Sequence, residues 1–359
     1  MFAYIVRRLL MMPLLLFGVT LLIFGMISLL SPEERLALYL RDVPRNEQQA
    51  ETLIRKYGLD QPFFAQYGNW LFGREVDDPI TGQKVISGGI LRGDFGYSRT
   101  GSDTIANVIK RRFPATLELT LWSIAPVIGV GVAMGVLSAV HHNKLADQIL
   151  RVVSIIGWSF PVFVFGLLAL MLFYARLQWF PPDNLSDWAS QVVGTPAAFT
   201  RYTGMNTLDS LLNGRLDIFL DALRHMVLPI LTLAYVQWAL LLRITRSSML
   251  ESLKQDYITT ARSKGLAEQV VVNRHARPNA MIPVVTVSGF TVVGLLNGVV
   301  ITETIFNYPG IGSVAAQAAA QLDVLTVLGF TLFNGVILLV ANLVVDVLYA
   351  VVDPRVRLS

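Results

Sequence analysis

Six long runs free of charged residues punctuate the sequence, at residues 9–30, 119–140, 152–175, 226–242, 280–302 and 324–345. Each has close to the roughly 20 apolar residues that a helix needs to cross a bilayer. The fourth is short, but Arg243 at its end has an apolar stem that lets the span extend past it. Run 9–30 outlasts the ~7–15-residue core of a signal peptide, and no A-x-A site follows it. It is expected to be a first span rather than a leader.

About ninety residues separate the first two runs. Residues 46–58 predict a helix stopped at Gly58, and Asp60 and Pro62 predict a new start. Phe63, Tyr67 and Trp70 then share one face, suited to local packing, a membrane interface or an external partner. Residues 73–89, rich in Gly and Asp, predict a loop, and Pro114 suits the first turn of the second span. A second polar stretch, 176–224, carries Trp179-Phe180-Pro181-Pro182 and Trp188, an interfacial anchor by composition. His225 follows it alone, with nothing at metal-ligand spacing, and is expected to be capped or solvated. Pro309-Gly310 predicts a turn, and 313–322 a short Ala-rich helix. The expected fold is an all-α membrane protein of six transmembrane helices with an extended external segment between helices 1 and 2. Its divisions are 1–30, 31–113 and a five-helix core 114–359 that includes loops 176–225 and 247–279.

The polar, basic block 256–283 stands between two apolar runs. Residues 248–264 predict one amphipathic helix with Leu250, Leu253, Tyr257 and Ala261 on a stripe and Lys254, Asp256, Arg262 and Lys264 on the remaining surface. Gly265 ends it, and Val270, Val271, Arg274 and His275 lead back to the next run. Such a helix suits the groove of a soluble partner. Lying on anionic lipid would use the same residues, and spacing alone leaves both open.

Composition agrees with the membrane reading. Only 15% of residues are charged, against about 25% in soluble domains. With no cysteine and four histidines, disulfides and thiolate chemistry are excluded and no metal site is expected. With the N-terminus inside, the inner segments hold thirteen Lys and Arg against six Asp and Glu, so both termini are expected in the cytoplasm. The six runs contain no Asp, Glu, Lys, Arg, His or Cys. That disfavours an intramembrane enzyme, and also an ion-coupled secondary transporter, the rival class. No G-x-x-x-x-G-K-[ST] occurs, so the chain has no phosphate-cradling loop of that kind. A neutral path is expected, with Ser159, Asn297 and Thr302 lining it and Glu303 at its outer mouth. Helix packing uses the same residue types.

Ala261-Arg262-Ser263-Lys264-Gly265-Leu266, with Arg274-His275 and Asn279-Ala280, resembles the coupling loop of ABC importer permeases. The closer likeness is to the dipeptide/oligopeptide-type permease family. Five further blocks resemble that family: 56–62 with 92–98, 113–119, 225–233, Glu303 to Gly312 (E-x-x-F-x-x-P-G-I-G) and 346–357. Departures are Thr259-Thr260, where broader importers have Glu-Ala, Pro278, and external insertions at 73–90 and 176–225. The resemblance implies one transmembrane half of an ATP-driven, binding-protein-dependent importer in a prokaryotic inner membrane. Its implied partners are a second permease subunit, two ATPase subunits that bind ATP and Mg, and an external solute-binding protein; no cofactor is implied in this chain. It implies that Leu253, Tyr257 and Ala261 enter the ATPase groove, that Arg262, Lys264, Arg274 and His275 rim it, and that Gly265 permits the turn. Di- or oligopeptides are the expected cargo, with oligosaccharides or nickel complexes as alternatives.

Overall fold

The computed structural model describes residues 2–39, 46–77, 84–297 and 299–352. The first elements are helices α1 (Phe2–Ser28), α2 (Pro32–Tyr39), α3 (Glu47–Tyr57) and α4 (Phe63–Phe72). Strands β1 (Arg74–Asp77), β2 (Lys84–Ser87), β3 (Tyr97–Ser98) and β4 (Asp103–Thr104) follow. Next come α5 (Ile105–Val140), α6 (Leu145–Ser159), α7 (Val162–Ala169), α8 (Asp187–Val193), α9 (Asn206–Leu212) and α10 (Leu216–Ser252). The last are α11 (Asp256–Ser263), α12 (Glu268–Val270), α13 (Arg277–Asn297), α14 (Val299–Ile305), α15 (Ile311–Ala320) and α16 (Val324–Val352).

Among the described residues, five helices are long and apolar enough to cross a membrane: Leu9–Ser28 of α1, α5, α10, Glu268–Leu295 and Val324–Val345 of α16. The third expected span is a bent pair, Leu145–Ser159 and Val162–Arg176, meeting at 106°; counted as one span it makes six. The cause is local. Pro161 has no N–H and drives the preceding residue out of the helical region, and Phe160 sits at φ −92°, ψ 124°. Past α7, Leu170–Arg176 winds as a π-helix.

The chain divides into two compact units. One comprises Phe2–Phe113 with Val314–Leu339, so the first span and the external segment fall in one compact unit. In it, α3 is capped as its sequence dictates: Asn46 accepts from Gln49 N, and Gly58 closes the helix at φ 63°. The Phe63, Tyr67 and Trp70 rings all pack on Phe24 of α1, at centroid distances of 5.4, 5.5 and 5.4 Å. Tyr67 Oη also shares a 2.8 Å hydrogen bond with Thr20 Oγ1. The aromatic stripe is local packing. Residues 73–89 are more than a loop, since β1 pairs antiparallel with β2, Arg74 opposite Ser87. Asp323 ties the 314–339 segment to this unit by accepting from Thr100 N at 3.0 Å and Thr100 Oγ1 at 3.1 Å.

The other unit comprises Pro114–Ser313 with Val340–Ser359. Its core gathers Leu119 and Val127 of α5, Met226, Leu233 and Leu241 of α10, Val284 and Leu295 of α13, and Tyr308. Gly131 and Gly135 let α5 approach α10. A Cβ at Gly131 would lie 2.9 Å from that of Leu241, and one at Gly135 2.9 Å from Leu242 O. Pro114 does not open α5, which begins at Ile105; the helix carries the proline within it. A smaller cluster of Leu185, Ala189, Val193, Phe199, Ile218 and Ala222 organises the 176–225 segment. His225, 2% exposed, is capped there by Pro182 O at 2.6 Å and by Ser186 Oγ at 3.2 Å.

Candidate coupling surface

The helix expected over 248–264 is two helices. α10 ends at Ser252, Leu253–Gln255 turns, and α11 begins at Asp256. The turn lets α11 lay one face on its own chain: Ile258 and Ala261 pack with Ala139, Met249, Val271, Val272, Ala276 and Ala280. Leu250 and Leu253 pack against the same cluster. Burying such a set contributes on the order of 25 cal/mol per Å² of apolar surface. Ala261 is only 5% exposed, so its expected place in a partner groove is corrected. It and Leu253 anchor the helix from within.

Of the expected groove residues, Tyr257 faces outward. The residue is 41% exposed, while its hydroxyl shares a 2.7 Å hydrogen bond with Ser252 Oγ. Ser252 in turn donates to Ala276 O at 3.0 Å, joining the end of α10 to the segment that enters α13. From Arg262 near the end of α11 through Val270 every residue is exposed, Lys264 and Leu266 among them. Arg262 is held by Glu268 through two hydrogen bonds, 3.1 and 2.6 Å. Gly265 adopts φ +75°, the left-handed conformation that glycine enters without a Cβ penalty. Val271–Ala276 winds as a π-helix carrying exposed Arg274 and half-buried His275.

An ion pair that sequence reasoning used only for topology underlies this surface. Asp147 near the start of α6 is fully buried and accepts from Arg246 of α10 twice, from Ser138 Oγ at 2.5 Å and from Asn143 N at 2.9 Å. The signal was available in the single acid of segment 141–151 and the two arginines, Arg243 and Arg246, beyond the fourth apolar run. The pairing of Asp147 with Arg246 across 99 residues was not.

The expected path residues are scattered. Ser159 is exposed at the 106° bend, and the side chain of Asn297 lies outside the described residues. Thr302 is fully buried with its hydroxyl unpartnered among the described residues. Glu303 is also fully buried, accepting from Thr116 Oγ1 at 2.6 Å and Ser313 N at 2.9 Å. Its carboxylate caps the first turn of α15, where a negative charge is favoured, and does not stand at an open mouth. Burial pushes the nearby Tyr308 hydroxyl well above its ordinary pKa, with the Glu118 and Glu303 carboxylates adding to the shift. It stays protonated and donates to Glu118 Oε2 at 3.4 Å.

The described residues thus form a multi-helix chain with membrane-length apolar helices and a braced, basic surface beyond the end of α10. Residues 131–358 match the family described as binding-protein-dependent transport system inner membrane component, and residues 1–120 match its N-terminal counterpart. The chain belongs to this family. It is 35% identical to the di/tripeptide transport system permease protein DppB of Pseudomonas aeruginosa, over 99% of each chain. Against the probable D,D-dipeptide transport system permease protein DdpB of Escherichia coli it is 39% identical, over 85% of this chain and 84% of that one. The oligopeptide transport system permease protein AppB of Bacillus subtilis is 35% identical, over 99% of this chain and all of that one. The protein is therefore an inner-membrane permease subunit of a binding-protein-dependent ABC importer, working with ATPase and solute-binding partners.

Proposed function

We propose that this chain forms half of the translocation path of a di- or oligopeptide importer, beside a second permease subunit and two ATPase subunits that bind ATP and Mg. The peptide reading is supported by relatives named for di/tripeptide, D,D-dipeptide and oligopeptide transport. Both termini lie in the cytoplasm in this reading, as the excess of Lys and Arg in the inner segments favours. α11 and the segment through Val270 then meet the ATPase subunits.

The observation that carries the coupling role is the two-sidedness of α11. Its inner face is locked by Ile258 and Ala261, its outer side offers Tyr257, and the segment after it exposes Lys264, Leu266 and Val270. Through Tyr257, Ser252 and Ala276 the outer side is bonded to the end of α10 and to the segment leading into α13. Through Arg246 and Asp147 the α5–α6 turn joins the same block. A push on α11 therefore moves several spans together as a rigid body. The ATPases supply the energy; this chain's residues transmit displacement.

The test is peptide-stimulated ATP hydrolysis by the reconstituted complex with its binding protein. Lys264→Glu and Leu266→Asp are expected to reduce stimulation about tenfold or more, since charge reversal or a buried carboxylate at a docking surface costs several kcal/mol, without lowering the unfolding temperature. Full stimulation in both variants would remove the coupling assignment. Stimulation by an oligosaccharide and by no peptide would overturn the cargo assignment.

A further inference from the structure

The first unit contains a cavity of about 260 Å³ that the coupling role does not use. It lies where α3, α4, the β1–β2 hairpin and the segment 94–97 converge, with Phe24 and Leu325 also contributing to its wall. Four features distinguish it from a packing defect.

The first is a cation with a free edge. Arg74 stacks its guanidinium over the Tyr57 ring, 5.0 Å from the centroid, and donates from Nη1 to Lys56 O. Its Nε and Nη2 have no hydrogen-bond partner among the described residues. Stacking fixes the plane of the fork, and a fixed fork matches a carboxylate. The second is an anion on the same wall. Asp94 accepts from Gly96 N with Oδ1, at 3.0 Å, and its Oδ2 is unpartnered among the described residues. The third is the apolar share of the lining, contributed by Tyr57, Trp70 and Phe95.

The fourth is the backbone. Gly58, Gly88, Gly89 and Gly96 all line the cavity, and all have positive φ, from 63° to 109°. Gly89 has no freedom to be anything else, because a Cβ there would lie 2.6 Å from Gly73 N. Gly88 is different: nothing lies within 4 Å of where its Cβ would be. Its conformation keeps side chains out of the space and lets a ligand approach the main chain closely.

We propose that this cavity binds a small zwitterion: a carboxylate on Arg74, an ammonium on Asp94, and an apolar group against Trp70 and Phe95. The volume is below the ~300–1,000 Å³ of pockets that hold drug-sized ligands, so the occupant is no larger than a short peptide. Identifying the zwitterion as an unblocked dipeptide rests on the peptide-import reading. The site itself rests on the cavity and its two charges.

Calorimetric titration tests this on the assembled importer in nanodiscs, without its binding protein. The probes are Ala-Phe, Ala-Phe amide and N-acetyl-Ala-Phe. Saturable binding of Ala-Phe is expected. Amidation and Arg74→Gln should each weaken it about tenfold, the scale of one charge-assisted pair, and together no further. N-acetylation and Asp94→Asn should behave as a second such pair, and Arg74→Lys should keep most of the affinity. Absence of saturable binding, or binding that both variants leave unchanged, overturns the site. So does an equal loss for free and blocked peptides accompanied by a lower unfolding temperature, which would mark Arg74 as structural. Peptide uptake is measured separately on the same complex with its binding protein. If uptake persists while the cavity arms fail, this inference alone falls; absence of uptake counts against the import reading.

Discussion

Arg246 grips Asp147 along both edges of the carboxylate, Nε to Oδ1 at 2.7 Å and Nη2 to Oδ2 at 2.9 Å. The acid side chain is fully buried and the arginine 19% exposed. Removing either partner alone therefore has unequal consequences. Arg246→Met strands a buried charge and is expected to cost about 3 kcal/mol. Asp147→Asn keeps much of the hydrogen bonding and costs less. Thermal unfolding in detergent with both single variants and the double variant checks the ordering, and the double variant should be more stable than Arg246→Met.

Gly265 makes a cleaner conformational test. No atom lies near its missing Cβ, so only its φ of +75° resists substitution. Gly265→Ala is expected to cost about 1 kcal/mol locally and to lower peptide-stimulated ATPase activity. Gly265→Asn, which tolerates the left-handed region, is expected to restore most of that activity. Equal activity in both variants would show that the turn is not constrained.

Gly310 behaves oppositely. A Cβ there would run into the carboxylate of Glu303, which is buried and bonded to Thr116 and Ser313. Gly310→Ala must displace that carboxylate, and it is expected to be more damaging to folding yield than Glu303→Gln. The amide of the latter still accepts one bond in place.

Asp323 predicts a pH response. Burial works to raise its pKa, but the hydrogen bonds from Thr100 and Thr326 outweigh it and hold the group below the ordinary carboxylate value. A depressed folded pKa means its stabilisation is complete above the unfolded pKa and is lost as pH falls through the folded one. Acid unfolding of Asp323→Asn is expected to show a shallower pH dependence than wild type below the ordinary carboxylate range. Identical slopes would assign the acid sensitivity to other groups.

The spans were legible because a charge-free run of twenty residues has few other uses. The α3 boundaries were legible because Asn46 and Gly58 act on their nearest neighbours. The start of α5 was hidden by Lys110, Arg111 and Arg112, polar residues in a helix that extends beyond its apolar run. The break at Leu253–Gln255 has no glycine or proline to announce it. It follows from Ile258 and Ala261 reaching Val271 and Ala276. In the candidate surface, the left-handed turn at Gly265 could be read directly, whereas the inward turn of Ala261 could not. Glu303 was the largest misplacement, since its carboxylate meets Thr116 across 187 residues, and no local pattern encodes that.

α10 runs 37 residues, about 55 Å at 1.5 Å per residue, whereas the hydrocarbon core is roughly 30 Å thick. Near one end Asp221 and His225 hold the Ser186 loop, and near the other Arg246 holds Asp147. One helix thus carries a grip on the Ser186 segment and another on α6, with Pro229 between them. A tilt imposed at either grip is carried along one helix to the other, and Pro229 is where that helix can give, since a proline removes one bond of its ladder.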